Sequence, residues 1–497
     1  MELAKANKLV SFETAQTVSE DGKSADITIY DMKMAVAVDA EDSENIMSSV
    51  SKPTTTFDEV IGAENAKQEL KYFVQYLKNP KKFMQNGMST PKGVLLYGPP
   101  GTGKTLMAKA MAHEADVTFI SVTGSSFIKK YQGEGTEKME EVFRIARKYA
   151  PSIIFIDEVD AIAHNRTGSE QTADIEATMT NLLAQMDGFS TSAKKPVFVL
   201  AATNYDVNAT GQKSLDPAFL RRFDSRIYVD LPTRDERALF LTKQMEHNPI
   251  FNISEEKIRS IAVRSTGMSL AQLSSILDLA MRTAVRDGKT QVTEDIFDEA
   301  FESFIGGEEK KWNQELLERV ARHESGHAFI CWYYGEIPSY ITIVARGDHG
   351  GYMQHGDNED KMLSTREEML ARIRTSLGGR AAEIVYYGDE DGISTGPSGD
   401  LQSATNIALA MICSYGMSDT VGLAVMDRET LKASPLAASV YGEINSILTR
   451  EMKATVDCIT ANRAAIDAMV DRLMRDNHLT GDEIDAVFSA NATRKGR

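Results

Sequence analysis

The stretch Lys92-Gly93-Val94-Leu95-Leu96-Tyr97-Gly98-Pro99-Pro100-Gly101-Thr102-Gly103-Lys104-Thr105 decides the fold. The run from Lys92 to Tyr97 is short and largely apolar, which predicts a strand buried on both faces. A glycine-rich loop follows, and LMAKAMAHEA after it reads as a helix. Strand, loop and helix in that order make a P-loop, in which glycines let backbone N–H groups face phosphate oxygens at a helix N-terminus. Gly98, Pro99, Pro100, Gly101, Thr102 and Gly103 form the cradle, Lys104 reaches the β- and γ-phosphates, and Thr105 ligates Mg²⁺. A plain glycine-rich turn would explain neither the strand before it nor the helix after it.

Two further apolar runs extend the α/β texture. Ser152-Ile153-Ile154-Phe155-Ile156 runs into Asp157-Glu158. An acidic pair at the C-terminal end of a strand lies where α/β sheets bind ligands. There Asp157 would hold the Mg²⁺ shell and Glu158 would polarise an attacking water. Val197 to Ala202 forms a third run, ending in Thr203-Asn204. Asn204 is either a sensor of the γ-phosphate or a turn residue.

With 497 residues the chain exceeds what one core can organise, and two to four domains are expected. The net charge of −17 argues against general affinity for nucleic acid or anionic membranes. Cys331, Cys413 and Cys458 are odd in number and far apart, so no disulfide framework is read and a reducing compartment fits. No run approaches the roughly 18 apolar residues of a membrane span. The opening residues carry no secretory pattern, which makes a cytoplasmic protein the expectation. Residues 1–52 read as an acidic N-terminal region with short strand patterning at 25–38 and a linker. Residues 53–235 read as the nucleotide-binding module, and 236–305 as amphipathic helices. Residues 306–311 are a Gly-, Glu- and Lys-rich hinge, and 312–497 form a mainly helical final domain.

That final domain begins with a helix carrying His323-Glu324-Ser325-Gly326-His327. Residues four apart share a helix face, so His323 and His327 can bind one Zn²⁺ while Glu324 acts on a bound water. An ordinary exposed helix with two histidines is the competing reading. A catalytic zinc commonly takes a third protein ligand. Asp400, in Ser394-Thr395-Gly396-Pro397-Ser398-Gly399-Asp400, is a candidate, though a carboxylate opening a helix is also a natural N-cap. Cys331 reads as packing, and His349 and His355 as surface residues.

The parts up to the amphipathic helices resemble the AAA+ ATPases. The order of AAA+ module, short linker, HExxH and S-T-G-x-x-x-D segment is similar to the FtsH-type ATP-dependent zinc metalloproteases. The resemblance covers about residues 53–490 and implies further roles. Asp400 matches the family's third zinc ligand, and Leu377-Gly378-Gly379-Arg380-Ala381-Ala382-Glu383 also matches. Arg221 and Arg222 match the arginine fingers that complete a neighbouring subunit's ATP site, although the usual Pro-Gly between them is missing. Asp187-Gly188-Phe189 matches a segment that relays nucleotide state. Phe127 to Gly135 resembles the pore loop, with Tyr131 gripping polypeptide and Gly133 lending a mobile backbone. Tyr131-Gln132 departs from the usual Phe-aliphatic pair, and a loop tyrosine packed on its own domain is the alternative. The strand at Tyr340 to Gly347 would hold unfolded substrate by backbone pairing.

A ring, typically six subunits, follows from fingers acting in trans. The family usually carries two transmembrane helices at the N-terminus, and this chain shows none, so a soluble member is expected. The function implied is ATP-driven unfolding of protein substrates and their zinc-dependent hydrolysis. A non-proteolytic unfoldase with a structural C-terminal domain is the rival, and a nucleic-acid motor a weaker one.

Overall fold

The computed structural model describes residues 8–18, 25–36, 49–85, 91–128, 133–164, 173–188, 196–208, 214–347, 350–356, 363–388, 392–418 and 421–495. Tyr131, Gln132, Phe189 and His349 lie outside the described residues. The chain forms two compact units, Met1–Leu231 and Pro232–Arg497.

The first unit opens with an antiparallel hairpin of β1 (Lys8–Val18) and β2 (Ala25–Val36), whose register shifts once between Glu13 and Thr14. A six-stranded sheet follows, in the order β3 (Val50–Ser51), β5 (Thr118–Thr123), β6 (Ser152–Asp157), β7 (Val197–Thr203), β4 (Gly93–Tyr97), β8 (Ser225–Tyr228). All neighbours are parallel except β3, which runs antiparallel to β5 at the edge. Both faces are covered, which is why the strands are continuously apolar rather than alternating. Val94, Leu96, Ile153 and Phe155 pack toward α1 (Glu64–Lys78) and α2 (Lys104–Ala115). Leu95, Ile154 and Ile156 pack toward α3 (Glu134–Lys148) and α4 (Ala173–Asp187). β4, β6 and β7 lie side by side, so the P-loop, Asp157 and Asn204 all emerge from their C-terminal ends.

The second unit begins with four helices: α5 (Arg234–Glu246), α6 (Glu255–Arg264), α7 (Leu270–Arg286) and α8 (Glu294–Gly306). Leu241, Ile261, Leu273, Phe297 and Phe301 form their core. Ser269 and Gln272 close a capping box at the start of α7, a use that explains a glutamine at that position. After α8 the chain does not swing free. Glu309 bridges to Arg346, and Lys310 donates its backbone N–H to Ala345 at 2.8 Å.

The rest of this unit is built on α9 (Gln314–Tyr333), α10 (Arg366–Tyr387), α11 (Ser398–Cys413), α12 (Ala437–Ala461), α13 (Arg463–Asp476) and α14 (Gly481–Asn491). A three-stranded antiparallel sheet sits beside them, in the order β10 (Tyr352–Gln354), β9 (Tyr340–Thr342), β11 (His478–Thr480). This corrects the expectation for Tyr340 to Gly347. β9 is central, both its edges already carry a strand, and it has no hydrogen-bonding edge left for a substrate. Of the two outer strands, β10 and β11, it is β10 whose residues line the cleft described below. Among the described residues no helix is long and apolar enough to cross a membrane.

One buried polar cluster joins the four-helix layer to this sheet. Arg264, only 1% exposed, pairs with Asp298 at 2.7 Å and Glu302 at 2.6 Å. Its guanidinium stacks 3.7 Å from the Tyr340 ring centroid, and Tyr352 donates its hydroxyl to Glu302 at 2.8 Å. Burial opposes the charge, but Tyr340, Asp298 and Glu302 more than offset that and raise the Arg264 pKa. Deleting the cation strands a buried carboxylate, so Arg264→Ala should cost about 3–5 kcal/mol. The chain's two tryptophans, Trp312 and Trp332, both lie in this unit. Urea unfolding followed by tryptophan fluorescence therefore reads it directly, and an unshifted midpoint would contradict the assigned role of Arg264.

Candidate metal and nucleotide sites

In the first unit, the P-loop is held by backbone geometry that side chains disfavour. Gly98, Gly101 and Gly103 have φ of 140°, 76° and 90°. A Cβ on Gly98 would lie 2.2 Å from the Val229 carbonyl oxygen, so only glycine fits there. Pro100 and Gly101 are exposed at the loop's crest, and the Thr102 hydroxyl donates to Pro99 O at 3.0 Å. Gly103 precedes the first turn of α2, which leaves that turn's N–H groups facing the loop. Lys104 is buried and donates to Gly98 O and Pro99 O, both at 2.8 Å. Burial lowers its pKa, against the opposing pull of Asp157 and Asp160. Thr105 donates its hydroxyl to Asp157 at 2.7 Å, which brings the two Mg²⁺ candidates from separate elements into contact.

Glu158 follows at φ 49°, exposed, with its N–H on the Asp157 carboxylate at 2.9 Å. Asn204 is exposed in the bend after β7. Arg221 is exposed at the end of the short helix Pro217–Leu220. Arg222 instead pairs with Asp187 at 2.9 Å, and Lys92 reaches the same carboxylate at 3.1 Å. Gly133, at φ 92°, donates its N–H to Asp174 at 2.8 Å and precedes α3.

In the second unit, α9 presents His323, Glu324 and His327 to a cleft of about 1180 Å³. Its neighbour α10 approaches at the backbone. A Cβ on Gly326 would meet Gly378 O at 2.4 Å, and one on Gly378 would meet Gly326 O at 2.7 Å. This contact lets α10 supply the supports of both imidazoles. His327 Nδ1 lies 2.6 Å from Thr375 O, an acceptor only, so Nδ1 carries the proton. His323 Nδ1 donates to Glu383 at 3.3 Å, and Glu383 is anchored by the Ser394 N–H at 2.9 Å and hydroxyl at 2.7 Å. Both Nε2 atoms therefore face inward and are the ring nitrogens available to a metal.

Those atoms lie 3.1 Å apart, and each is 3.3 Å from Asp400 Oδ2. Zinc bonded to nitrogen and oxygen at about 2.0–2.2 Å in a tetrahedron spaces its donors by roughly 3.3–3.5 Å. Asp400 sits in the first turn of α11, whose start at Pro397 carries no side-chain cap, so it is aimed at the histidines rather than capping the helix. Three acceptors converging on one point repel one another unless a cation lies between them. The space for one is specific, since a Cβ on Gly379 would come within 2.3 Å of His323 Nε2 and 2.5 Å of His327 Nε2. The donor set thus fits a zinc ion with one open position.

The surrounding charges agree. Burial works against a charged His323, yet Asp400 and Glu383 outweigh it and push the imidazole up to about 10. Burial would raise Glu383, but His323 and the Ser394 donors hold it down at about 2. Asp400 is likewise held well below the usual carboxylate range by the two histidines, against burial. Glu324 is buried, which raises its pKa, while His323 and His327 pull the other way and the Met353 N–H donates to it. A carboxylate beside the donor set and shielded from water is placed to exchange a proton with a water bound there. In the sequence, the segment containing Glu383 matches the family but carries no assigned role. Its position four residues after Gly379, on the same helix face, is the signal that links it to the site.

Residues 94–231 match the ATPase family associated with various cellular activities (AAA), and residues 311–487 match peptidase family M41. Similar proteins include an ATP-dependent zinc metalloprotease FtsH of Ureaplasma parvum, 39% identical over 457 residues. That alignment covers 88% of this chain, and the chain spans only 61% of that relative's length. FtsH 3 of Sphaerobacter thermophilus is 34% identical over 455 residues, 90% of each chain. FtsH of Marinobacter nauticus is 36% identical over 464 residues, 89% of this chain and 71% of its own.

Two substitutions test the geometry. Gly379→Ala places a methyl where the cation would sit, and the purified variant should retain little or no zinc by elemental analysis while keeping its helical circular dichroism. Glu383→Gln removes the carboxylate behind His323 and should weaken zinc affinity about 10–100-fold in a competition titration. Wild-type zinc content in Gly379→Ala would refute the placement.

Proposed function

The chain belongs to the FtsH family of ATP-dependent zinc metalloproteases, and from that premise we propose that it unfolds protein substrates with ATP and hydrolyses their peptide bonds. The observation that supports this most directly is the convergence of His323, His327 and Asp400 on one point with Glu324 beside it. The retained donor set disfavours the reading as a non-proteolytic unfoldase.

Zinc bound there supplies a Lewis acid that polarises the scissile carbonyl and acidifies water. Glu324, buried and raised by burial, takes the water's proton and returns it to the departing amine. Glu383 and Thr375 keep each imidazole in the tautomer whose Nε2 faces the cleft. An extended substrate pairs with the open edge of β10, where Gly350, Gly351, Tyr352 and Met353 line the cleft. Met353 pairs with Ile341 without using its own N–H, which faces Glu324 instead. The substrate backbone thereby lies beside the general base.

In the first unit, Lys104 leaves the loop carbonyls for the nucleotide's phosphates. Thr105 and Asp157 hold Mg²⁺, Glu158 orients the attacking water, and Asn204 senses the γ-phosphate. The family's arrangement calls for a homo-oligomer, six subunits in a ring, in which a finger arginine enters the neighbouring site. Arg222 is committed to Asp187 within its own subunit, so Arg221, exposed, is the residue assigned to reach across. Tyr131 is assigned to grip the translocating chain. Residues 1–52, 53–235, 236–305, 306–311 and 312–497 are assigned as N-terminal region, nucleotide-binding module, helical lid, linker and protease domain. Three free thiols, Cys331 and Cys413 among them buried, fit work in the reducing cytoplasm, with protein quality control as the task.

The two engines separate by mutation. Glu324→Gln should lower hydrolysis of an unstructured protein by about 10²–10⁴-fold while leaving ATPase activity and bound zinc unchanged. Glu158→Gln should abolish ATP hydrolysis and degradation of a folded substrate, yet spare cleavage of a short unstructured peptide. Full peptide cleavage by Glu324→Gln would remove that residue from the reaction.

A further inference from the structure

One turn beyond His327 on the same face of α9 stands Cys331, about 6 Å further along the axis at 1.5 Å per residue. Its sulfur lies 3.8 Å from His355 Nδ1, and that same nitrogen lies 3.8 Å from Glu336 Oε2. The three donor atoms all fall within 4.8 Å of one another. We propose that Cys331, Glu336 and His355 form a second zinc site, containing sulfur, at the rim of the cleft.

The arrangement is a triangle and not a relay. Both neighbours of His355 approach Nδ1, whereas a thiol activated by an oriented base would use the two ring nitrogens separately. A zinc bonded to sulfur at about 2.3 Å and to nitrogen at about 2.0 Å separates those donors by roughly 3.5 Å. The two distances to Nδ1 exceed that by a few tenths of an ångström, and the sulfur and the carboxylate lie within 4.8 Å of each other. His355 is exposed and Glu336 partly so, and small rotations of these side chains close the gap. Thiolate, imidazole and carboxylate together select a borderline-soft dication, and their two negative charges neutralise it. Without a metal, burial and the nearby Glu336 push the Cys331 thiol up, which leaves it protonated and a poor nucleophile.

The backbone that carries the donors is fixed. Ser339 donates its N–H to Gln354 O at 2.9 Å and its hydroxyl to His355 O at 2.8 Å. A Cβ on Gly356 would sit 2.2 Å from Ile337 O, so this loop packs directly on the turn that follows α9. Glu336 and His355 line the catalytic cleft, and Cys331 and Glu336 line a second cavity of about 620 Å³. Arg372 borders both cavities and weakens attraction for a cation, while Glu368 at the second cavity favours one. A metal held here ties the end of α9 to the loop after β10 and so clamps the open strand edge.

The site is open to test because the His323, His327 and Asp400 cluster contains no sulfur. The full-length chain is stripped with a chelator and titrated with Co²⁺. Two equivalents should bind, one of them producing a near-ultraviolet thiolate-to-cobalt charge-transfer band that added Zn²⁺ extinguishes. His355→Ala, a change at an exposed side chain, should bind one equivalent and lose the band. Cys331→Ser should do the same. A single equivalent without the band in the wild type would overturn the proposal, and so would a band that survives in His355→Ala.

Discussion

The contact that much of the second unit depends on is the backbone approach of α9 to α10 at Gly326 and Gly378. Any side chain at either position would push the helices apart, because the nearest atoms are main-chain carbonyls that cannot rotate away. With the helices this close, two turns of α10, from Thr375 to Glu383, lie under both histidines. Thr375 O reaches His327, Glu383 reaches His323, and Gly379 leaves the space between their Nε2 atoms open. Helix packing thus fixes which nitrogen of each ring faces the cleft. Chemistry that needs positions held to a fraction of an ångström is set here by two glycines that take no part in it.

The sequence disclosed what local pattern can encode. The strand, loop and helix around Gly98–Thr105 follow one another along the chain, and the two histidines are neighbours through helical period alone. Parts assembled from distant segments were less visible. Local sequence alone favours Asp400 as a helix cap, the family resemblance favours it as a ligand, and the fold aims the first turn of α11 at the imidazoles. Glu383 shows no role in the local sequence because its partners, His323 and Ser394, lie 60 and 11 residues away. The strand at Lys8–Val18 escaped notice because its apolar residues do not alternate strictly. β10 is three residues long, too short for period 2 to register, and only the pairing order shows that it, not β9, is an edge strand at the cleft.

Charge organises the two nucleotide-side arginines as helix packing organises His323 and His327. Asp187 accepts both Lys92 and Arg222, and its pKa is lowered first by the hydrogen bond from Lys92, then by the charges of both cations. All three groups are partly exposed, so the pairing is worth little to stability. Its effect is orientational. It turns Arg222 back onto its own chain and leaves Arg221 exposed. Adjacent arginines with no Pro-Gly between them therefore divide into one inward and one outward group, an asymmetry that sequence could not assign.

The Arg264 cluster has a different consequence. Its carboxylate partner Glu302 accepts the Tyr352 hydroxyl, and the Arg264 carbonyl accepts the Gln354 amide. Tyr352 and Gln354 flank Met353, whose N–H donates to Glu324. Because side chains alternate across a strand, fixing residues 352 and 354 on one face also fixes the direction in which the backbone of 353 points. Glu324 is then oriented by α9 on one side and by a strand pinned to the four-helix layer on the other. A buried ion pair is a poor source of net stability, since desolvation consumes most of the attraction. Its value here is geometric: Arg264 meets Asp298, Glu302 and the Tyr340 ring together in only one arrangement, and that arrangement sets the edge on which an extended chain would lie.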